Sequence, residues 1–159
     1  MDILIVDDSE TILFKLEALL KDNGFHVATA VDGKKAVELL NAFKPDLIVT
    51  DFNMPGLDGF AMLRLLQGDP AWTNIPVVII TGRALDESTR KLVEFEPNVK
   101  RIFLKPIDEQ GLLKVIREVG VKRGKLSAAS QGPAPDSFEP LFPTIELQPP
   151  PPKKADEKN

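Results

Sequence analysis

Five polar side chains stand where the apolar runs of this sequence end. Asp7 and Asp8 follow Ile3-Leu4-Ile5-Val6, Asp51 follows Leu47-Ile48-Val49, Thr81 closes Pro76–Thr81, and Lys105 closes Arg101–Lys105. Three carboxylates brought together repel one another and resist full ionisation unless a cation joins them. An all-oxygen site with two or three carboxylates, a carbonyl and open positions suits hydrated Mg²⁺. The chemistry that fits is phosphoryl transfer onto a carboxylate. Asp51 would be the nucleophile, with the dication neutralising charge on the phosphoryl oxygens. Lys105, a mobile point charge, would pair with a phosphoryl or carboxylate oxygen, and the Thr81 hydroxyl would bond a phosphoryl oxygen once one is present. Neither Gly-x-Gly-x-x-Gly nor Gly-x₄-Gly-Lys-Ser/Thr occurs, so the pattern does not point to a nucleotide as donor.

The elements that must position these groups alternate between strand and helix five times. Ile3–Val6 is a continuous apolar run, as expected of a strand covered on both faces. Ile12, Leu13, Leu16, Leu19 and Leu20 then recur at helical spacing until Asn23-Gly24. Phe25–Ala30 reads as a second strand. Asp32-Gly33 opens a helix that turns Ala36, Val37 and Leu40 inward and stops before Pro45. In the third unit Met54-Pro55-Gly56 is turn chemistry, Asp58 is a preferred N-cap, and the helix runs from Gly59 to about Gln67, where Gly68-Asp69-Pro70 breaks it. The fourth strand leads to a polar helix over Asp86–Phe95, closed by Pro97. The fifth leads to a helix capped by Asp108, with Leu112, Val115, Ile116 and Val119 on one face. Right-handed crossovers between such units give a doubly wound parallel sheet, α/β in class, with helices on both faces. Its chemistry is expected at the carboxyl ends of the strands.

The chain has 159 residues, 43% of them hydrophobic, enough for one core and a little more. It has no cysteine, which excludes disulfides and thiolate metal sites. No signal peptide or membrane-length apolar run is visible, and a cytoplasmic location is expected. Residues 1–121 carry 14 Lys+Arg against 19 Asp+Glu, which argues against a general nucleic-acid binder. The composition changes after Gly120. Residues 122–159 hold eight of the fourteen prolines, so we expect a folded domain over 1–121 and a disordered, proline-rich tail over 122–159. Within the tail Phe138, Leu141, Phe142 and Ile145 have helical spacing, but Pro140 and Pro143 forbid a regular helix. His26 is expected to be structural, and Trp72 to pack.

The segments Ile-Val-Asp-Asp-Ser, Thr-Asp-Phe-Asn-Met-Pro-Gly-Leu-Asp-Gly, Ile-Ile-Thr-Gly and Phe-Leu-Lys-Pro resemble, in order, the receiver domain of two-component response regulators, of the chemotaxis-type single-domain kind. The resemblance covers about residues 1–121 and implies a flavodoxin-like five-stranded sheet of order 2-1-3-4-5. It further implies a phosphoacceptor that receives a phosphoryl group on Asp51 from a sensor histidine kinase or phosphotransfer protein. By position, Asp8, Asp51 and the Asn53 backbone carbonyl would ligate Mg²⁺, with Asp7 acting mostly through ordered water. Thr81 and Lys105 would grip the phosphoryl group, and Lys105–Pro106 matches the family's cis peptide. Such a domain catalyses only its own phosphotransfer and dephosphorylation. Its modified surface, made by the fourth helix, fifth strand and fifth helix, would bind a downstream protein; neither direct nucleic-acid binding nor membrane insertion is implied. One departure is Ile102, where the family commonly has Tyr or Phe. Phe103, one residue on, should face the other side of the sheet.

Two other readings use the same residues. In one, the tail is itself the output, carried by Phe138 to Leu147 and released or docked when Asp51 is modified, or else the receiver fold serves as a phosphorylation-independent interaction module with the tail as docking segment. In the other, the chain is a Mg²⁺ phosphohydrolase. Such an enzyme usually carries its nucleophile on the first strand in an Asp-x-Asp pattern and adds a lid, whereas this first strand ends Asp-Asp without a cap insertion.

Overall fold

The computed structural model describes residues 1–126. The tail beyond, including the segment from Phe138 to Leu147, lies outside the described residues. Five strands, β1 (Asp2–Val6), β2 (His26–Ala30), β3 (Leu47–Asp51), β4 (Val77–Thr81) and β5 (Val99–Leu104), form one sheet in the order β2-β1-β3-β4-β5. All four pairings are parallel. The helices are α1 (Glu10–Asp22), α2 (Gly33–Ala42), α3 (Gly59–Gly68), α4 (Glu87–Glu94) and α5 (Glu109–Lys122).

Side-chain alternation sorts the strands' apolar residues onto two faces. Ile3, Ile5, Leu47, Val49, Val78, Ile80 and Phe103 pack against α1 and α5 through Leu13, Leu16, Leu20, Leu112 and Ile116. Leu4, Val6, Ile48, Val77 and Ile79 pack on the opposite face against Leu40, Met62, Leu63, Leu66 and Val93. The inner strands β1, β3 and β4 are buried almost throughout, while the edge strands β2 and β5 expose part of theirs. Ile102 belongs to the α4 face and Phe103 to the α5 face, as their spacing predicts.

Each helix starts on a side chain that accepts a hydrogen bond from the backbone N–H three residues on: Ser9 from Ile12, Asp32 from Lys35, Asp58 from Ala61, Asp86 from Thr89 and Asp108 from Gly111. Such a cap is worth about 1 kcal/mol and fixes where a strand-to-helix loop ends. The loops carrying the strand-end side chains are therefore held between a buried strand and a capped helix. β5 begins at Val99, and the pairing of β4 with β5 shifts between Val77 and Val78, so that Val78 faces Arg101. Past α5 the chain stays packed. Leu126 rests near Gly120 and Met1, and Lys125 lies 3.4 Å from Asp46. Among the described residues no helix is long and apolar enough to cross a membrane.

Candidate functional site

The sheet order brings the ends of β1, β3, β4 and β5 side by side, and with them Asp7, Asp51, Thr81 and Lys105. Asp7 (1% exposed) and Asp51 (5%) are buried, while Asp8 is exposed. Lys105 Nζ donates to Asp7 Oδ2 at 3.0 Å and to Asp51 Oδ2 at 3.2 Å. The other oxygens accept backbone bonds: Asp7 Oδ1 from Ser9 N–H at 2.8 Å, and Asp51 Oδ1 from Asn53 N–H at 3.1 Å. The turn that aims Asp51 is closed by Gly59 N–H donating to Phe52 C=O at 2.8 Å. A Cβ on Gly59 would come within 2.8 Å of Phe52 Cα, so this approach of helix to strand end requires glycine.

The two buried carboxylates, Asp7 and Asp51, share the ammonium group of Lys105. Burial pushes the Asp7 carboxyl above its ordinary 3.8 and outweighs the Ser9 and Lys105 hydrogen bonds, with Asp51 adding repulsion. Burial alone would lower Lys105, but its hydrogen bond to Asp7 and the charges of Asp7 and Asp51 prevail and raise it above 10.5. Both partners of this ion pair are thus raised, for different reasons: Asp7 chiefly because it is buried, Lys105 because it faces two carboxylates. One oxygen each from Asp7, Asp8 and Asp51 lies within 4.8 Å of the others. A compact set of hard oxygen donors short of positive charge fits Mg²⁺.

The Thr81 hydroxyl is already engaged. It donates to Arg83 C=O at 2.8 Å and accepts from Arg83 N–H at 3.3 Å and from the Asn53 side-chain amide at 3.1 Å. The resemblance places Asn53 and Arg83 at positions that tune self-dephosphorylation in the family; the bond from the Asn53 side chain to Thr81 is a contact that the sequence pattern did not reveal. No periodicity reports which way an amide at a strand end turns. Beside Thr81 opens a cavity of about 450 Å³ between α4 and β5, lined by Thr81, Ala84, Leu85, Arg90, Ile102 and Leu104 among others. Leu104 (54% exposed) leaves apolar surface at its edge, and Leu92 (56%) on α4 and Phe95 (84%) just after that helix are also exposed. His26 lies on the edge strand β2, its Nδ1 3.0 Å from Asp2 Oδ1 and apart from the cluster. Trp72 packs against the α2–α4 side of the core.

A doubly wound sheet with its acidic and basic side chains gathered on one edge places the molecule among flavodoxin-like receiver modules. The family model of the response regulator receiver domain matches residues 3–117, and the chain belongs to that family. It is 41% identical over 117 residues to protein PilH of Pseudomonas aeruginosa, an alignment covering 74% of this chain and 95% of PilH. It is 39% identical over 117 residues to the response regulator PleD of Caulobacter vibrioides, covering 74% of this chain but only 25% of PleD. Among solved structures, chemotaxis protein CheY4 of Vibrio cholerae superposes with a TM-score of 0.68 at 26% identity, covering 74% of this chain and 97% of that one. The chain is a chemotaxis-type receiver domain of two-component signalling.

Proposed function

We propose that Asp51 accepts a phosphoryl group from a histidine kinase or phosphotransfer protein in a Mg²⁺-dependent reaction, and that the modified domain changes its binding to a downstream protein. The observation that carries this reading is the Asp7–Asp8–Asp51 cluster of carboxylate oxygens, with the Lys105 ammonium bonded to Asp7 and Asp51. A carboxylate oxygen of Asp51 attacks phosphorus, the new O–P bond forming as the P–N bond to the donor imidazole breaks. That imidazole leaves with the electron pair and takes a proton from solvent. Asp8, Asp51 and the Asn53 carbonyl would hold Mg²⁺, with Asp7 beyond them, and the ion would supply charge neutralisation on the transferring oxygens. Lys105, held by Asp7, keeps a positive charge on the same side of Asp51 without outside help. Asn53 N–H orients the other Asp51 oxygen.

The engagement of Thr81 gives the switch its form. To bond a phosphoryl oxygen, Thr81 must give up its donor bond to Arg83 C=O, and the residues after it, Ala84 and Leu85, line the α4–β5 cavity. With Ile102 in that cavity, readout proceeds through this loop and the packing of α4 rather than through an inward-turning aromatic ring. The apolar surface of Leu92, Phe95 and Leu104 is where α4, β5 and α5 would meet the downstream protein.

The test is intact mass after incubation with Mg²⁺ and a small-molecule phosphodonor, with Asp51→Asn alongside. We expect a gain of one phosphoryl group that requires Mg²⁺ and is absent from the variant. No gain under conditions where Mg²⁺ demonstrably binds would overturn the reading and point to a phosphorylation-independent module.

A further inference from the structure

At the end of the sheet opposite the acidic cluster, β5 and α5 leave a groove of about 290 Å³. Its floor is apolar: Pro76 and Val119 are buried, and Val115 half-buried. Its rim carries Lys100, Arg101, Lys122 and Arg123 against one acid, Glu118. Among the described residues none of these four cations lies in a salt bridge. Among the described residues Lys100 donates only to Pro97 C=O and Arg123 only to Asn74 C=O, while Arg101 lies over the Phe103 ring at 5.9 Å. A basic, apolar-floored groove on a domain with an acidic surplus selects for an acidic segment with large apolar side chains.

The chain itself carries one. Between Leu126 and Lys153 there is no lysine or arginine, and residues 136–147 combine Asp136, Glu139 and Glu146 with Phe138, Leu141 and Phe142. The eleven residues between Leu126 and Phe138 reach about 35 Å when extended. That exceeds the radius of gyration of about 14 Å expected for a domain this size. A tether of this length keeps the segment at an effective concentration on the order of millimolar. We infer that residues 136–147 seat in the β5–α5 groove of their own chain, with acidic side chains on the basic rim and Phe138 or Phe142 on the apolar floor. The groove shares Lys100 and Arg101 with the rim of the α4–β5 cavity, so the seated segment would cover part of the surface that a downstream protein needs. The inference requires no phosphoryl chemistry and stands or falls separately from it.

The absence of cysteine allows a nitroxide to be placed at one site by Thr144→Cys in the full chain. Paramagnetic broadening of backbone amides then reports where the segment lies. We expect selective broadening of Val115, Val119 and Lys122 at low salt. It should be lost in Lys122→Glu/Arg123→Glu, lost in Phe138→Ser/Phe142→Ser, and weakened when salt rises from about 20 mM to about 0.5 M, which shortens the Debye length from about 20 Å to about 4 Å. Both double variants change exposed groove residues or the tail alone, and an unchanged amide spectrum elsewhere shows that the domain remains folded. Three results would overturn the inference: no selective broadening, broadening that survives the charge reversal, or broadening seen only between a labelled chain and a second copy.

Discussion

Helices α3 and α4 follow neighbouring strands and cover the same face of the sheet, yet they are held very differently. α3 buries Gly59, Met62, Leu63 and Leu66 within ten residues, whereas α4 buries only Val93 within eight. On its surface α4 carries the pairs Arg90–Glu94 and Lys91–Glu87. Exposed helix pairs of this kind contribute only a few tenths of a kcal/mol each. α3 therefore acts as a fixed wall behind Asp51, and α4 as a lightly anchored element beside Thr81. Elements that move are drawn from the least stable parts of a fold. Under the proposed function, this difference makes α4 the element expected to respond when Asp51 is modified.

The sharpest way to break this comparison is to empty one side of it. Leu63→Ala on α3 should cost about 3 kcal/mol through lost burial and the cavity left behind, read as a lowered urea midpoint. Gly59→Ala should cost about 2 kcal/mol, because its Cβ would meet the Phe52 backbone at 2.8 Å. Gly68→Ala at the other end of the same helix, where nothing lies within 4 Å, should instead stabilise by about 0.5 kcal/mol. The opposite signs would separate close approach from helix propensity.

At the site the expected effect is smaller and depends on pH. The Asp7 pKa is raised on folding, so the folded state binds that proton more tightly than the unfolded chain does. Stability is therefore lost as pH rises from 3.8 through the raised folded value, and the loss is constant above it. Asp7→Asn, with Mg²⁺ chelated, should stabilise the protein by about 1 kcal/mol at neutral pH, since Lys105 keeps Asp51 as its partner. The gain should shrink to nothing below pH 3.8, as urea midpoints across the pH range would show. Smallest of all, Leu92→Ser on exposed α4 should change stability by less than about 0.5 kcal/mol. A larger loss would mean that α4 is anchored more firmly than its burial indicates.

Much of this was open to inspection in the sequence. Apolar runs closed by Asp7-Asp8, Asp51, Thr81 and Lys105 announced both the parallel sheet and the edge where its polar groups meet. The alternation of Ile102 and Phe103 announced their faces, and the polar composition of Asp86–Phe95 foreshadowed a helix with little burial. Other features depend on three-dimensional fit and left no local pattern. The shift in the β4–β5 register is one, because nothing in Val99-Lys100-Arg101 marks which residue the neighbouring strand will skip. The Asn53 bond to Thr81 joins residues 28 apart in the chain and arises only when two strand ends lie side by side. The packing of Leu126 on Gly120 and Met1 was hidden by a composition already turning polar.

Hydrogen exchange, with stoichiometric modification of Asp51 verified by intact mass, tests the central claim most directly. The account predicts altered protection in residues 82–95 when Mg²⁺ and phosphodonor are both present, unchanged protection in residues 59–68, and no response in Asp51→Asn. Full modification with α4 unaltered, or a change centred on α3, would contradict it.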